Sequence, residues 1–218
     1  MDEPDPRDVR LELDRLLLAQ RETEHRVKNT LQLISSIVLL QSRRTPDPAA
    51  RAALNAVLQR VTAVSLAHRH VSWVNGVEQV DATALVREVA LDLAGGAGRD
   101  DIALALELDP LLAPAAQAAP LALLVNESLG NALRHAFPDG RRGRVSLSLR
   151  REDGGFELAV DDDGVGMADG APPKGFGLTI VQLLAQQLRG RLVTDAAQPG
   201  LRLSVHVPMN PQAPPPAG

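Results

Sequence analysis

Three short stretches of this sequence hold side chains whose types and spacing suit one chemistry, and a fourth suits a second. Asn126, Glu127, Asn131 and His135 interrupt an otherwise apolar segment. Glu127, Asn131 and His135 recur at i, i+4 and i+8, which on a helix places them on one face. A carboxylate and a carboxamide one turn apart suit magnesium, a hard ion that takes oxygen ligands. Further on, Asp162-Asp163-Gly164-Val165-Gly166 follows an alternating apolar run. An Asp at a strand end can accept a hydrogen bond from an adenine amino group, and the glycines let backbone approach the base. Lys174-Gly175-Phe176-Gly177-Leu178 then opens a helical segment, whose first N–H groups and dipole favour phosphate. Each stretch alone is ordinary turn chemistry, but the ordered set describes a magnesium-nucleotide site. The fourth stretch is Glu24-His25-Arg26-Val27-Lys28-Asn29-Thr30-Leu31-Gln32. At 3.6 residues per turn His25, Lys28, Asn29, Gln32 and Ser36 share a polar arc, opposite Val27, Leu31, Ile34 and Val38. A solvent-facing histidine offers a ring nitrogen to a partner and, with an ordinary pKa of about 6.5, is mostly neutral at pH 7. Taken alone, such a histidine is more often a bland surface residue.

Helices and strands must position these groups. Residues 7–44 read as one long helix, which stops before Thr45-Pro46-Asp47-Pro48. Asp47 is placed as the N-cap of a second helix over 48–72, with Leu54, Val57, Val61, Val64, His68 and Val71 in its seam. His68 is read there as a packing histidine. A hairpin with two apolar seams cannot bury both alone, so a four-helix bundle from two chains is expected. Asn75-Gly76 lies in a stretch without helical period, and a domain boundary is placed between Val74 and Val80. Helices are expected over 82–94, 115–136 and 176–188, with Gly95-Gly96 and Gly98 closing the first of them. Alternation predicts strands at Ile102–Leu108, around Val145–Leu149, at Phe156–Val160, near 191–196 and near 201–207. The fold class is therefore α+β: an antiparallel helical hairpin over residues 1–75, an α/β sandwich with a mixed sheet over 76–208, and a disordered Pro-rich tail over 209–218.

Composition removes several function classes. Aromatic residues are 2% of the 218, too few for the stacking platforms of single-strand nucleic-acid binding. The net charge is −4 with no basic tract, so neither nucleic acid nor an anionic membrane is an expected partner. The absence of cysteine excludes disulfides and thiolate zinc sites and fits a reducing cytosol. No apolar run approaches the roughly 20 residues that cross a bilayer, so no membrane insertion and a cytoplasmic location are expected.

His25-Arg26-Val27-Lys28-Asn29-x-Leu31-Gln32 resembles the phosphoacceptor signature of two-component sensor histidine kinases, in the subfamily related to the HWE kinases with a type 2 dimerisation and phosphoacceptor domain. The later set is similar to their Bergerat-type ATP-binding domain, shared with gyrase, Hsp90 and MutL proteins. Asn126-Glu127 through Asn131-Ala132-Leu133-Arg134-His135-Ala136-Phe137 matches the N box of that domain, Asp162-x-Gly164-x-Gly166 the G1 box, and Gly175-x-Gly177-Leu178 the G2 box. Gly200-Leu201 stands where relatives usually carry Gly-Thr, and the span from Gly166 to Gly175 is short for a lid.

The resemblance implies that His25 is autophosphorylated, that Asn131 holds magnesium and that Asp162 reads adenine. It places Gly164, Gly166, Gly175 and Gly177 around the pocket and lid, with Arg134, His135, Lys174 and Leu178 among the nucleotide-binding residues. Glu127 is a candidate base, and Lys28 could attract the incoming phosphate. The expected function is autophosphorylation from MgATP and transfer to an aspartate of a response-regulator receiver domain, by a homodimer. No sensory domain fits before His25, which leaves room for a separate sensory protein as partner. Two alternatives differ in class: a histidine phosphotransfer or docking protein with weak or lost ATP use, and an anti-sigma-type serine kinase on the same ATP fold.

Overall fold

The computed structural model describes residues 6–74, 76–166, 176–196 and 199–209. Of the expected disordered tail over 209–218, only Met209 is described, its N–H donating to the Gly154 carbonyl at 2.8 Å. The chain divides into two compact units, Met1–His68 and Arg69–Gly218, a few residues ahead of the expected boundary.

The first unit is a helical hairpin of α1, Pro6–Arg44, and α2, which runs on to Arg69 from Pro48. Asp47 caps α2 as its position suggests, its carboxylate accepting from the N–H groups of Ala49 and Ala50, both at 3.2 Å. The buried hydroxyl of Ser42 donates to Asn55 Oδ1 at 2.6 Å and ties the two helices together near the turn. Val27, Leu31 and Val38 are half-buried, while Lys28, Asn29, Gln32 and Ser36 are exposed, so α1 has the two faces its periodicity implies. Ile34 does not follow the inner stripe. It is 40% exposed and belongs with Leu33, Ile37 and Leu40, a second apolar stripe left open on the hairpin surface. His68 is also exposed, so the packed-seam reading of that side chain is corrected. Helix α2 ends at Arg69, and Val71 belongs to a strand rather than to the seam.

That strand, β1 at Val71–Val74, pairs antiparallel with β2 at Val77–Asp81. The stretch read as a boundary is thus a hairpin, turned at Gly76 with φ +79°. Asn-Gly between apolar residues is itself a hairpin signal. A third short strand joins it further along the chain. Asp81 accepts from Ala84 N–H at 2.9 Å and caps α3, Ala82–Ala97. This helix runs through Gly95-Gly96 and stops only at Gly98, whose φ of +60° is the left-handed cap that glycine adopts without cost. Next come β3, Ile102–Leu108, and β4, Leu112–Pro114, the latter completing the small sheet in the order β1-β2-β4. The expected helix over 115–136 is in fact composite: one 3-10 turn, then α4 at Ala118–Asn131, then a π-helical turn at Ala132–Ala136.

The remaining elements are β5, Gly143–Glu152, β6, Gly155–Asp162, α5, Phe176–Gln187, β7, Arg191–Ala196, and β8, Leu201–Pro208. The main sheet has the order β3-β5-β6-β8-β7, parallel between β3 and β5 and antiparallel elsewhere, the mixed sheet that the alternating runs require. Val145, Leu147 and Leu149 on β5, Phe156, Leu158 and Val160 on β6, and Leu203, Val205 and Val207 on β8 are all buried on one face. Leu85, Val86 and Val89 of α3, Leu121, Leu124 and Leu129 of α4, and Val181 and Leu184 of α5 bury the matching helical stripes. The other face is a charged ladder, with Arg202 bonded to Glu157 at 3.1 Å and to Asp161 at 3.0 Å. Among the described residues no helix is long and apolar enough to cross a membrane.

The last hairpin meets β6 at Gly200, whose φ is +107°. A Cβ there would lie 1.7 Å from the Asp162 carbonyl oxygen. Gly200→Ala is expected to cost at least about 2 kcal/mol of folding stability, read as a lower urea midpoint. A midpoint equal to wild type contradicts this junction.

Candidate nucleotide site

Continuing the alternation of β6 past Val160 puts Asp162 on the helix-covered face, at the end of the strand and opposite Leu201 in the register. This carboxylate is half-buried and accepts the N–H of Gly164 at 3.0 Å. Burial pushes its carboxyl above the ordinary range, and like charges at Asp163 and Asp161 add to that; the N–H groups of Gly164 and Leu201 act against it. Leu201 therefore contributes to the site through its backbone.

Gly164 and Ala136 approach closely. Val165 N–H donates to the Ala136 carbonyl at 2.9 Å, and a Cβ on Gly164 would sit 2.3 Å from that same oxygen. Only glycine lets the loop after β6 reach the end of the π-turn. Gly166, at φ +65°, lies against Gly200, where an added Cβ would be 2.9 Å from the carbonyl oxygen. A Cβ on Gly177 would lie 2.9 Å from both polar atoms of the Asn131 carboxamide, which places the first turn of α5 directly on that side chain. The stretches around Asn131, Asp162 and Gly177 thus converge as their order in the sequence suggests. Leu178 is half-buried in the same first turn, while Lys174 and Gly175 lie outside the described residues.

The face shared by Glu127, Asn131 and His135 does not persist. The π-turn takes one more residue per hydrogen-bonded turn, which shifts the phase after Asn131. Glu127 is 1% exposed and accepts from Asn126 Nδ2 at 2.9 Å, whereas His135 is exposed. Arg134, also exposed, donates to Asn131 Oδ1 at 3.2 Å. That oxygen fits a hard cation, and no group of three metal-ligating side chains occurs among the described residues. Such a donor set suits magnesium, which keeps several waters and shares phosphate oxygens.

Sequence reasoning gave no role to several residues that shape the site. Asp163 Oδ1 accepts the N–H of Arg144 at 2.7 Å, and its carbonyl accepts from Arg141 at 3.0 Å, so the second aspartate fixes backbone. The ring of Phe137 occupies the space over Gly143, where a Cβ would fall 2.0 Å from Cε1. Arg99 bonds to carbonyls at the end of the π-turn. Nothing in the sequence around Arg99 signals that contact.

A mixed sheet with helices on one face, an aspartate at a strand end beneath a composite helix, and a glycine-opened helix against an asparagine define a nucleotide-binding domain of the histidine kinase, gyrase B and HSP90 type. One family model, described as "Histidine kinase", matches residues 22–95; another, described as "Histidine kinase-, DNA gyrase B-, and HSP90-like ATPase", matches residues 116–211. The chain carries both modules of the histidine kinases and belongs to that family. It is 30% identical over 219 residues to the sensor histidine kinase PdtaS of Mycobacterium tuberculosis, a match covering 90% of this chain and 41% of that protein. It is 30% identical over 209 residues to blue-light-activated histidine kinase 2 of Erythrobacter litoralis, covering 92% of this chain and 59% of that protein. The chain therefore spans roughly two to three fifths of the length of these curated relatives. The solved histidine kinase domain of the Erythrobacter litoralis EL346 blue-light activated kinase superposes with a TM-score of 0.67 at 28% identity, over 91% of this chain and 96% of that one.

Asp162→Asn separates recognition from stability. If Asp162 reads adenine as its motif implies, the variant's amide presents a donor to the adenine amino group, an unpaired contact worth about tenfold or more in affinity for an ATP analogue. Stability should move the other way. A carboxyl raised in the folded state carries a penalty at pH values above the folded pKa, and none below the unfolded one. The nucleotide-free variant should therefore match or exceed wild type in melting temperature at pH 7, with the margin shrinking as pH falls through the carboxylate range. Equal nucleotide binding by the two proteins, measured by calorimetry, contradicts the assignment.

Proposed function

We propose that this chain is the catalytic core of a sensor histidine kinase that phosphorylates its own His25 from MgATP and passes the phosphoryl group to an aspartate of a response-regulator receiver domain. The observation that carries the nucleotide half of the reading is the approach of the stretches around Asn131, Asp162 and Gly177 at the helix-covered end of the central strand β6. The phosphoacceptor half rests on the residues around His25, within the span matched by the histidine kinase family model. His25 lies in α1, and its side chain is outside the described residues.

In this reading Asp162 accepts the adenine amino group, while Gly164 and Gly166 let the backbone close on the base. The N–H groups opening α5 face phosphate, with Lys174, Gly175 and Leu178 on the lid side. Asn131 Oδ1 would hold magnesium, which when bound neutralises the charge on the phosphate oxygens. Arg134 donates to that same oxygen and would have to release it to the ion, which frees its charge for the phosphates. The imidazole of His25 supplies the nucleophilic nitrogen: an N–P bond forms to the γ-phosphorus, the P–O bond to ADP breaks, and the imidazole proton is lost. Buried and bonded to Asn126, Glu127 organises α4 in this reading and is not assigned the imidazole proton. The open stripe of Leu33, Ile37 and Leu40 supports homodimerisation through a four-helix bundle. A cytoplasmic location and a separate sensory protein complete the reading.

Incubation with γ-labelled ATP and magnesium should place about one phosphoryl group per chain on His25, labile in acid and stable in base. His25→Ala should abolish the label yet keep nucleotide binding, and Asn131→Ala should remove the label through loss of magnesium. Label that survives acid or persists in His25→Ala points to a serine kinase. Acid-labile label acquired only from another phosphoprotein points to a phosphotransfer role.

The bundle has its own test. Ile37→Asp should convert a dimer to a monomer in light scattering at tens of micromolar while the second unit keeps its nucleotide affinity. A wild-type monomer with both helices formed removes the homodimer.

A further inference from the structure

We infer that Arg99, held by Asp101, is a positioning residue for nucleotide binding: it fixes the carbonyls at the end of the π-turn on which the adenine-side glycine loop rests. Arg99 follows the left-handed Gly98 at the end of α3, and its guanidinium donates five hydrogen bonds in two directions, a longer one from Nε to Asp101 Oδ2 at 3.2 Å among them. On one side Nε donates to Asp101 Oδ1 at 2.8 Å and Nη2 to Oδ2 at 2.7 Å, a fork-on-fork pair that sets the plane of the group. On the other side Nη2 donates to the Phe137 carbonyl at 2.9 Å and Nη1 to the Leu133 carbonyl at 3.4 Å. The last carbonyls of a helix have no partner of their own within it, and a cation there also meets the negative end of the dipole. Between the two carbonyls bound by Arg99 stands that of Ala136, which accepts Val165 N–H at 2.9 Å.

The chain of contacts is then continuous. Asp101 orients Arg99, Arg99 fixes Leu133 and Phe137, and these set the Ala136 carbonyl. That carbonyl seats Gly164 and Val165, and Gly164 N–H holds the Asp162 carboxylate at 3.0 Å. Asp101 anchors the same corner through its backbone, its carbonyl accepting Gly143 N–H at 3.2 Å at the start of β5. The Arg99 hydrogen bonds hold the Asp101 carboxyl below the usual range, so the pair stays charged at neutral pH. Among the described residues the Arg99 hydrogen bonds go to Asp101, Leu133 and Phe137, not to Asn131, Asp162 or Gly177. The effect of Arg99 on the nucleotide passes through the backbone.

The inference rests on the nucleotide reading of Asp162, and one experiment separates the two. MgADP binding by the full chain is measured calorimetrically for wild type, Arg99→Gln and Arg99→Lys, at a temperature where circular dichroism shows each folded. Arg99→Gln should weaken binding by about fivefold, the scale of losing charged hydrogen bonds that orient a binding group. Arg99→Lys keeps the cation at the helix end but cannot fork onto carboxylate and carbonyls together, and should fall between the two. A purely structural role would lower the melting temperature and leave the dissociation constant of the folded protein unmoved. Should Arg99→Gln not fold, Asp101→Asn takes its place: the guanidinium remains but loses its orientation, and binding should weaken about twofold or more. An unchanged dissociation constant in folded Arg99→Gln, or in folded Asp101→Asn where that variant replaces it, overturns the positioning role. So does a lysine variant as weak as the glutamine one. Failure of wild type to bind MgADP overturns the nucleotide reading instead.

Discussion

The second unit depends on one backbone contact, the seat of Gly164 and Val165 on the carbonyl of Ala136. Two constraints meet there. A helix end must find partners for its last carbonyls, and a loop after a strand must turn without a side chain in the way. The π-turn solves the first by handing its carbonyls to Arg99 and to the loop, and glycine solves the second. Asp162 is held from this joint through the N–H of Gly164, while Asn131, just ahead of the π-turn, meets the start of α5. A methyl group at Gly164 would push the loop from the helix end and open the site from its floor.

The site is also where the sheet departs from its own pattern. Row after row, β6 presents apolar side chains to the helices, and at the last position it presents a carboxylate. Burial makes that charge unfavourable for folding, and two backbone N–H groups recover part of the loss. Stability given up at a binding position is expected where the missing partner is a ligand. The outer face shows the opposite economy, its arginines and carboxylates paired with one another in a ladder that asks nothing of a ligand.

Much of this was readable in the sequence because period and chemistry agreed. The strand at Ile102–Leu108 and the cap at Asp47 fall where alternation and capping place them. The glycines after Asp162 and at Gly177 stand where a Cβ would collide. The errors have physical causes. A π-turn has no sequence signature at this length, so the projected face of Glu127, Asn131 and His135 broke at Asn131. Gly95-Gly96 did not end α3, because packing of Val86, Val89 and Leu93 outweighs the weak helix propensity of two exposed glycines. Asn75-Gly76 was read as a break between domains when its flanking valines make it a hairpin. The role of Arg99 has no local signal, since the carbonyls it binds lie 34 and 38 positions along the chain.

The most direct test of the common pocket is a map of backbone amides in the isotope-labelled protein as MgADP is added. Amide resonances of Gly164, Val165, Gly177 and Leu201 should move together with a single saturation curve, while those of Ser148, Ala159 and Ser204 on the outer face of the sheet stay in place. Shifts centred on the outer face, or a response at Gly164 and Leu201 that saturates separately from that at Gly177, would contradict a single nucleotide site built from these three stretches.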